Sequence, residues 1–270
     1  MKYSFSTLGC PSYNVDQIID LALKNKYDGI ELRAVSGTVD LATLAEFKGD
    51  GLSKTAAKIK AAGLDVVCVD TGVRFNVASK ESQAKNLEQA KFSMELANAF
   101  DCGYIRTFGG PFIPLQGYDE TLGWIREGYE KMCEIAQKEG ILPLLETHDD
   151  FSTSARIGDI LNNITAKNVG IVWDILHPFR FGEAVKDTYA ALKDKIRHIH
   201  IKDSFECSPK GFDFALVGEG IVPVKECIDL LKSDGFDGYL SFESEKLWHP
   251  EIPDAEIAMP HYAKAIVEYL

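Results

Sequence analysis

Basic residues are in deficit. The chain carries 29 Lys and Arg against 41 Asp and Glu, a formal net charge of -12. Nucleic-acid binding draws on cations that neutralise phosphates, so this balance argues against a general nucleic-acid binder. The negative charge itself favours solubility. No run approaches the ~20 apolar residues of a membrane span, so no membrane association is expected. The opening stretch MKYSFSTLGCPSYN lacks the apolar core of a secretory leader. Cys10, Cys68, Cys102, Cys133, Cys207 and Cys227 form no C-x-x-C pair and no zinc-ribbon spacing. Most sit in apolar runs, where a free thiol packs as a small hydrophobe. A reduced, cytoplasmic, soluble protein is the expectation. Ser/Gly linkers, low-complexity tracts and charge runs are also missing, so residues 1–270 read as one domain.

What is present is a repeated alternation. Eight β-rich runs stand out: YSFSTL (3–8), GIELR (29–33), LDVVCVD (64–70), YIRTF (104–108), ILPLLET (141–147), VGIVWD (169–174), IRHIHI (196–201) and GYLSFES (238–244). Amphipathic segments with helical spacing lie between them. In one, Asn14 and Gln17 have the spacing of a capping box. In another, Gly140 follows the helical pattern and opens the next strand. Parallel neighbours need crossover helices, so the pattern implies a parallel sheet. An open doubly wound sheet is the alternative, but no Gly-rich dinucleotide fingerprint follows the first strand. Eight units close naturally into a single (β/α)8 barrel. Two long connections, 203–222 and 245–253, follow strands and read as structureless loops on the rim where barrel active sites form.

Chemistry gathers at the ends of the last four runs. LLETHDD places Glu146 and His148 on one face. WDILH offers Asp174 and then His177; IRHIHIKD puts His198, His200 and Lys202 on one face; FESE puts Glu243 and Glu245 together. A lone acid at a strand end is ordinarily a cap or a solvated charge. Four adjacent staves of a barrel, however, send their inward side chains to one place. Three carboxylates gathered without a cation would repel and resist ionisation. One bound divalent ion relieves this, with Glu146, Asp174, His200 and Glu243 as ligands. An oxygen-rich set with one imidazole favours Mn²⁺ or Mg²⁺, with Co²⁺, Fe²⁺ or Zn²⁺ also compatible. His198 lies a layer deeper and reads as structural.

The ordered segments STLGCPSYNVDQIIDLALKNKYDGIELR, LLETHDD, WDILHPFR, HIHIKD, VGEGIVP and GYLSFESEKLWHPE resemble the xylose isomerase-like barrel superfamily. They are most similar to its sugar phosphate isomerase/epimerase group, with ketose 3-epimerases and inosose dehydratases. The likeness runs over nearly the whole chain. It implies the same four ligands for one divalent metal, and it implies that Glu146 and Glu243 exchange the substrate proton. Removing a proton next to a carbonyl creates enediolate charge, which a Lewis acid stabilises. Two carboxylates can then remove and return the proton.

Further residues at the mouth are expected to meet a small sugar or sugar derivative: His148, His177, Arg33, Arg106, Arg180, Lys202, Lys246, Trp248 and His249. Salt pairing with local acids is the plainer reading of the cations, and Glu31 has the spacing to pair with Arg33. VGEG (217–220) and FGG (108–110) could offer backbone N–H groups to an oxyanion. A metal-dependent epimerase or isomerase is the leading expectation, and an inosose or keto-sugar dehydratase on the same site is the alternative. A distant one is an abasic-site DNA endonuclease, whose three zinc ions need extra histidines; IELR, VCVD and IRTF supply none. A non-catalytic sugar-binding or scaffold protein, and a homo-oligomer, are further readings.

Overall fold

The computed structural model describes residues 1–270. Its strands in chain order are β1 (Lys2–Ser6), β2 (Gly29–Leu32), β3 (Asp65–Arg74), β4 (Tyr104–Phe108), β5 (Leu142–Glu146), β6 (Gly170–Asp174), β7 (Ile196–Ile201), β8 (Asp203–Ser208), β9 (Gly211–Ala215) and β10 (Tyr239–Phe242). The helices are α1 (Val15–Lys24), α2 (Gly49–Ala61), α3 (Lys80–Ala99), α4 (Tyr118–Glu139), α5 (Ser154–Asn163), α6 (Leu176–Arg180), α7 (Val185–Leu192), α8 (Val224–Ser233) and α9 (Ala255–Tyr269). Eight strands close into a parallel barrel in the order β1-β10-β7-β6-β5-β4-β3-β2. The eighth stave is therefore β10, which pairs with both β1 and β7.

Local signals read from the sequence account for the element ends. Asn14 caps α1 through a reciprocal box: its side chain accepts from Gln17 N at 3.0 Å, and Gln17 Oε1 accepts from Asn14 N at 3.0 Å. Gly140 ends α4 at φ 71°, a left-handed conformation that costs glycine nothing. No helix is long and apolar enough to cross a membrane.

Strand alternation then sorts side chains. On β7, Ile199 and Ile201 join the main hydrophobic cluster. His198, His200 and Lys202 are equally buried, yet they meet polar partners, the histidines Glu31 of β2 and the lysine acids at the ends of the neighbouring staves β6 and β10. One expectation fails here. The segment 203–222 is not structureless: β8 and β9 form an antiparallel hairpin standing above β7. Its sequence, DSFECSPKGFDFA, mixes polar and aromatic residues and lacks the apolar run that marks a barrel stave. Pairing is satisfied within the hairpin itself, so no core burial is needed to define it.

Candidate functional site

The upper interior of the barrel holds a compact group of buried acids and one imidazole. Glu146, Asp174, His200 and Glu243 each present a donor atom, and these atoms lie within 4.8 Å of one another. His200 Nδ1 is 3.2 Å from Glu146 Oε1, 3.2 Å from Glu243 Oε2 and 3.9 Å from Asp174 Oδ2. All four residues are buried. They come from the ends of β5 and β6, from β7, and from the residue after β10, so strand register alone brings them together.

Charge within this group is delicately shared. Burial opposes ionisation of Glu146, yet Arg106 and His200 hold its carboxyl below the ordinary range. Burial likewise opposes Glu243, which Lys202 and His200 hold well below it. Asp174 goes the other way: burial raises it, Lys202 resists, and Glu146 and Glu243 add to the rise. Burial works against a charge on His200, but Glu31, Glu243 and Glu146 keep its proton bound well above the usual histidine range. Glu146 Oε2 and Asp174 Oδ2 lack a well-aligned hydrogen-bond donor. Each faces a protein cation instead, Glu146 Oε2 the Arg106 guanidinium at 3.2 Å and Asp174 Oδ2 the Lys202 ammonium at 2.8 Å, so both oxygens already sit in surroundings that suit positive charge. Three carboxylates and one imidazole, converging and under-satisfied, fit a hard divalent cation. Such an ion would displace the proton from His200 Nδ1.

Two cations are committed to this group. Arg106 reaches Glu146 at 3.2 Å, Asp70 at 3.3 Å and Glu243 at 3.8 Å. Lys202 Nζ lies 2.6 Å from Glu243, 2.7 Å from Glu245 and 2.8 Å from Asp174. His148 and His177 stack edge to face, 4.4 Å between ring centroids, beside Glu146. Burial, with His148, Lys202 and Arg180 nearby, holds His177 well below the ordinary histidine range, so its ring is neutral. Its two nitrogens have no hydrogen-bond partner.

The other expected residues fall in varied places. Arg180 lies over Phe181 and Phe212, at 5.0 and 5.4 Å from the ring centroids. His249 packs against Phe214 on the hairpin, 5.0 Å between centroids, and its Nδ1 is 3.0 Å from Glu251. Trp248 is exposed. Lys246 is not brought to the cluster: it donates to the carbonyls of Pro250 and Ile252 at 2.7 and 2.6 Å and pairs with Asp254 at 2.8 Å, bracing its own loop. Its stem is long enough to reach inward, but local carbonyls offer it nearer partners.

The oxyanion expectation for VGEG is corrected. The N–H groups of Gly218 and Gly220 donate to Asp203, at 2.9 and 3.0 Å, so they are already used. Any Cβ at Gly220 would sit 2.2 Å from Asp203 Oδ1, so this position excludes larger residues. In FGG, a Cβ at Gly109 would meet the Phe151 ring at 2.5 Å, so this position needs glycine for close packing.

Glu31 corrects a further expectation. It does not pair with Arg33. Its Oε1 is 2.7 Å from His200 Nε2, its Oε2 is 3.0 Å from His198 Nε2, and the Ser241 hydroxyl donates to it. Glu31 thereby holds the far edge of the His200 ring and leaves Nδ1 facing the acid group. Sequence reasoning missed Glu31 and Asp70 as members of the site. The parity of β2 and β3 would have placed both inside, but no spacing rule identifies partners across a barrel.

Comparisons with known proteins agree with this architecture. The model of the xylose isomerase-like TIM barrel family matches residues 19–264. Fructoselysine 3-epimerase of Escherichia coli O157:H7 is 23% identical over 253 residues, 90% of each chain. Inosose isomerase of Bacillus velezensis is 26% identical over 249 residues, 88% of this chain and 85% of that one. The crystal structure of the IOLI protein with a bound zinc atom superposes with a TM-score of 0.83 at 22% identity, covering 100% of this chain and 98% of that one. That likeness shows a shared fold. With the family match spanning most of its length, the chain belongs to the xylose isomerase-like TIM barrel family.

Proposed function

We propose that the protein is a divalent-metal-dependent epimerase or isomerase acting on a keto sugar or sugar derivative by moving a proton next to the carbonyl. The convergence of Glu146, Asp174, His200 and Glu243 carries this reading. These four would hold one divalent ion. The zinc atom in the related IOLI structure and the epimerase and isomerase relatives support it. The donor set itself favours Mn²⁺ or Mg²⁺ as well. A bound ion supplies Lewis acidity to the oxygens of an α-hydroxy ketone.

The remaining steps belong to side chains. Glu146 and Glu243 are ionised in this environment, and each projects from a different stave. One takes the proton from carbon, and the other returns a proton to the opposite face, which inverts the centre. Arg106 beside Glu146 and Lys202 beside Glu243 keep the two in the carboxylate form. His177 and His148 stand where a substrate hydroxyl needs a hydrogen-bond partner, and the neutral His177 ring can donate or accept.

Incubation with ketoses in D₂O with added Mn²⁺, followed by NMR, tests the proposal. Deuterium should enter carbon next to the carbonyl, and Glu146→Gln or Glu243→Gln should abolish entry. Persistent exchange in both variants would remove their proton-transfer role. Net loss of water would favour the dehydratase alternative.

A further inference from the structure

The five cations expected at the mouth divide into two groups. Arg106, Lys202 and Lys246 are tied to carboxylates or carbonyls. Arg33 and Arg180 are not. Neither guanidinium makes a hydrogen bond or an ion pair, and Arg180 Nε is buried without a partner. Both residues are only partly exposed. Guanidinium groups this removed from solvent are ordinarily paired.

Their positions are informative. Arg33 follows β2, and Arg180 ends α6, which follows β6. In the strand order of the barrel, β2 and β6 stand opposite each other. The two free guanidinium groups therefore face one mouth from opposite sides, with the acid group between and below them. Arg33 is held closest to that group. Its electrostatic surroundings are Arg106, which repels it, and Asp70, Glu243 and Glu146, none of which comes within pairing distance. Arg106 has already engaged those same three acids. A second guanidinium beside the first, with the nearby carboxylates spoken for, is a site that lacks an anion. The planar fork of Arg suits a carboxylate or phosphate that offers two oxygens.

We infer that the substrate bears an oxyanion, carboxylate or phosphate, and that Arg33 receives it while Arg180 closes over the opposite side of the mouth. This rests on the reading of the same mouth as a keto-sugar site and names the class of sugar: an acidic or phosphorylated one. Neutral ketoses would leave Arg33 unpaired in the complex.

Unreactive probes separate this inference from proton transfer. Calorimetric titration of the metal-loaded full chain with sorbitol, gluconate and sorbitol 6-phosphate compares a neutral polyol with its carboxylate and phosphate counterparts. At least one anionic probe should bind roughly tenfold or more tightly than sorbitol, the equivalent of about 1.4 kcal/mol. Preference for gluconate identifies a carboxylate, and preference for sorbitol 6-phosphate a phosphate. Arg33→Met should reduce the preference to within about threefold, and Arg33→Lys, which keeps the charge, should retain part of it. Arg180→Met should cost less. Equal affinity for the three probes, no affinity for any, or an undiminished preference in Arg33→Met overturns the inference; the last would assign the anion to the metal or to Lys202. Solvent-deuterium exchange in the same variants keeps the two readings apart. Exchange that favours neutral ketoses sinks the oxyanion but not the epimerase. A retained Arg33-dependent preference without any exchange sinks the epimerase but not the oxyanion.

Discussion

Asp174 and Asp203 are the same residue type, both buried, at the ends of neighbouring staves, yet they do opposite things. Asp203 is saturated. Its Oδ1 accepts from Ser204 N at 2.8 Å and Val222 N at 3.1 Å, and its Oδ2 from Gly218 N at 2.9 Å and Gly220 N at 3.0 Å. Four backbone donors leave it no spare capacity. Asp174 uses Oδ1 for Leu176 N at 2.9 Å, while Oδ2 has no aligned hydrogen-bond donor and faces the Lys202 ammonium at 2.8 Å, with the His177 and His200 rings farther off at 3.7 and 3.9 Å. The first is a fastener; the second keeps one oxygen turned toward the acid group. Satisfaction, rather than burial or charge, tells them apart.

Five substitutions press on that contrast. The largest effect is expected at the under-satisfied group: Glu146→Gln or Glu243→Gln should lower solvent exchange by roughly 10²- to 10⁴-fold, the usual worth of a positioned acid or base. Circular dichroism should remain native. Asp203→Asn should do the reverse. An amide cannot accept with its nitrogen, so about two N–H groups lose their partner and unfolding free energy falls by about 2–4 kcal/mol, read by urea titration. The chain should still bind its ion; an unchanged urea midpoint would erase the distinction between the two aspartates. Glu31→Gln probes the support of His200. Ion affinity, measured by competition with a chromophoric chelator, should fall roughly 10- to 100-fold, the typical loss when a ligand histidine loses its carboxylate. An unaltered affinity would show that packing alone orients the ring. Asn14→Ala, far from either aspartate, should cost only about 1 kcal/mol of stability through the lost cap and leave ion binding untouched.

Much of the barrel was readable because its signals are local. Gly140 and the Asn14–Gln17 box mark helix ends within a few residues. Period-2 alternation puts His198, His200 and Lys202 on one face. Closure then forces the ends of the last four staves together, so the acid group could be assembled from strand order alone. What sequence did not disclose is who pairs with whom across the interior. Glu31 and Arg33 share a strand face, but Glu31 finds two histidines from β7 and Arg33 finds none of the acids. Such choices turn on distances of a few ångströms that spacing along one strand does not encode. The hairpin β8–β9 was missed for another reason: its strands satisfy one another and need no hydrophobic signature.

That hairpin hangs from the barrel at its two stems, and both stems are drawn to the single carboxylate of Asp203. Its second strand, β9, carries Phe212 and Phe214 against His177 and His249. A knot so self-contained makes the arm an interchangeable cassette. Its length and its aromatic strand can therefore vary without breaking the Asp203 knot that ties it to the barrel.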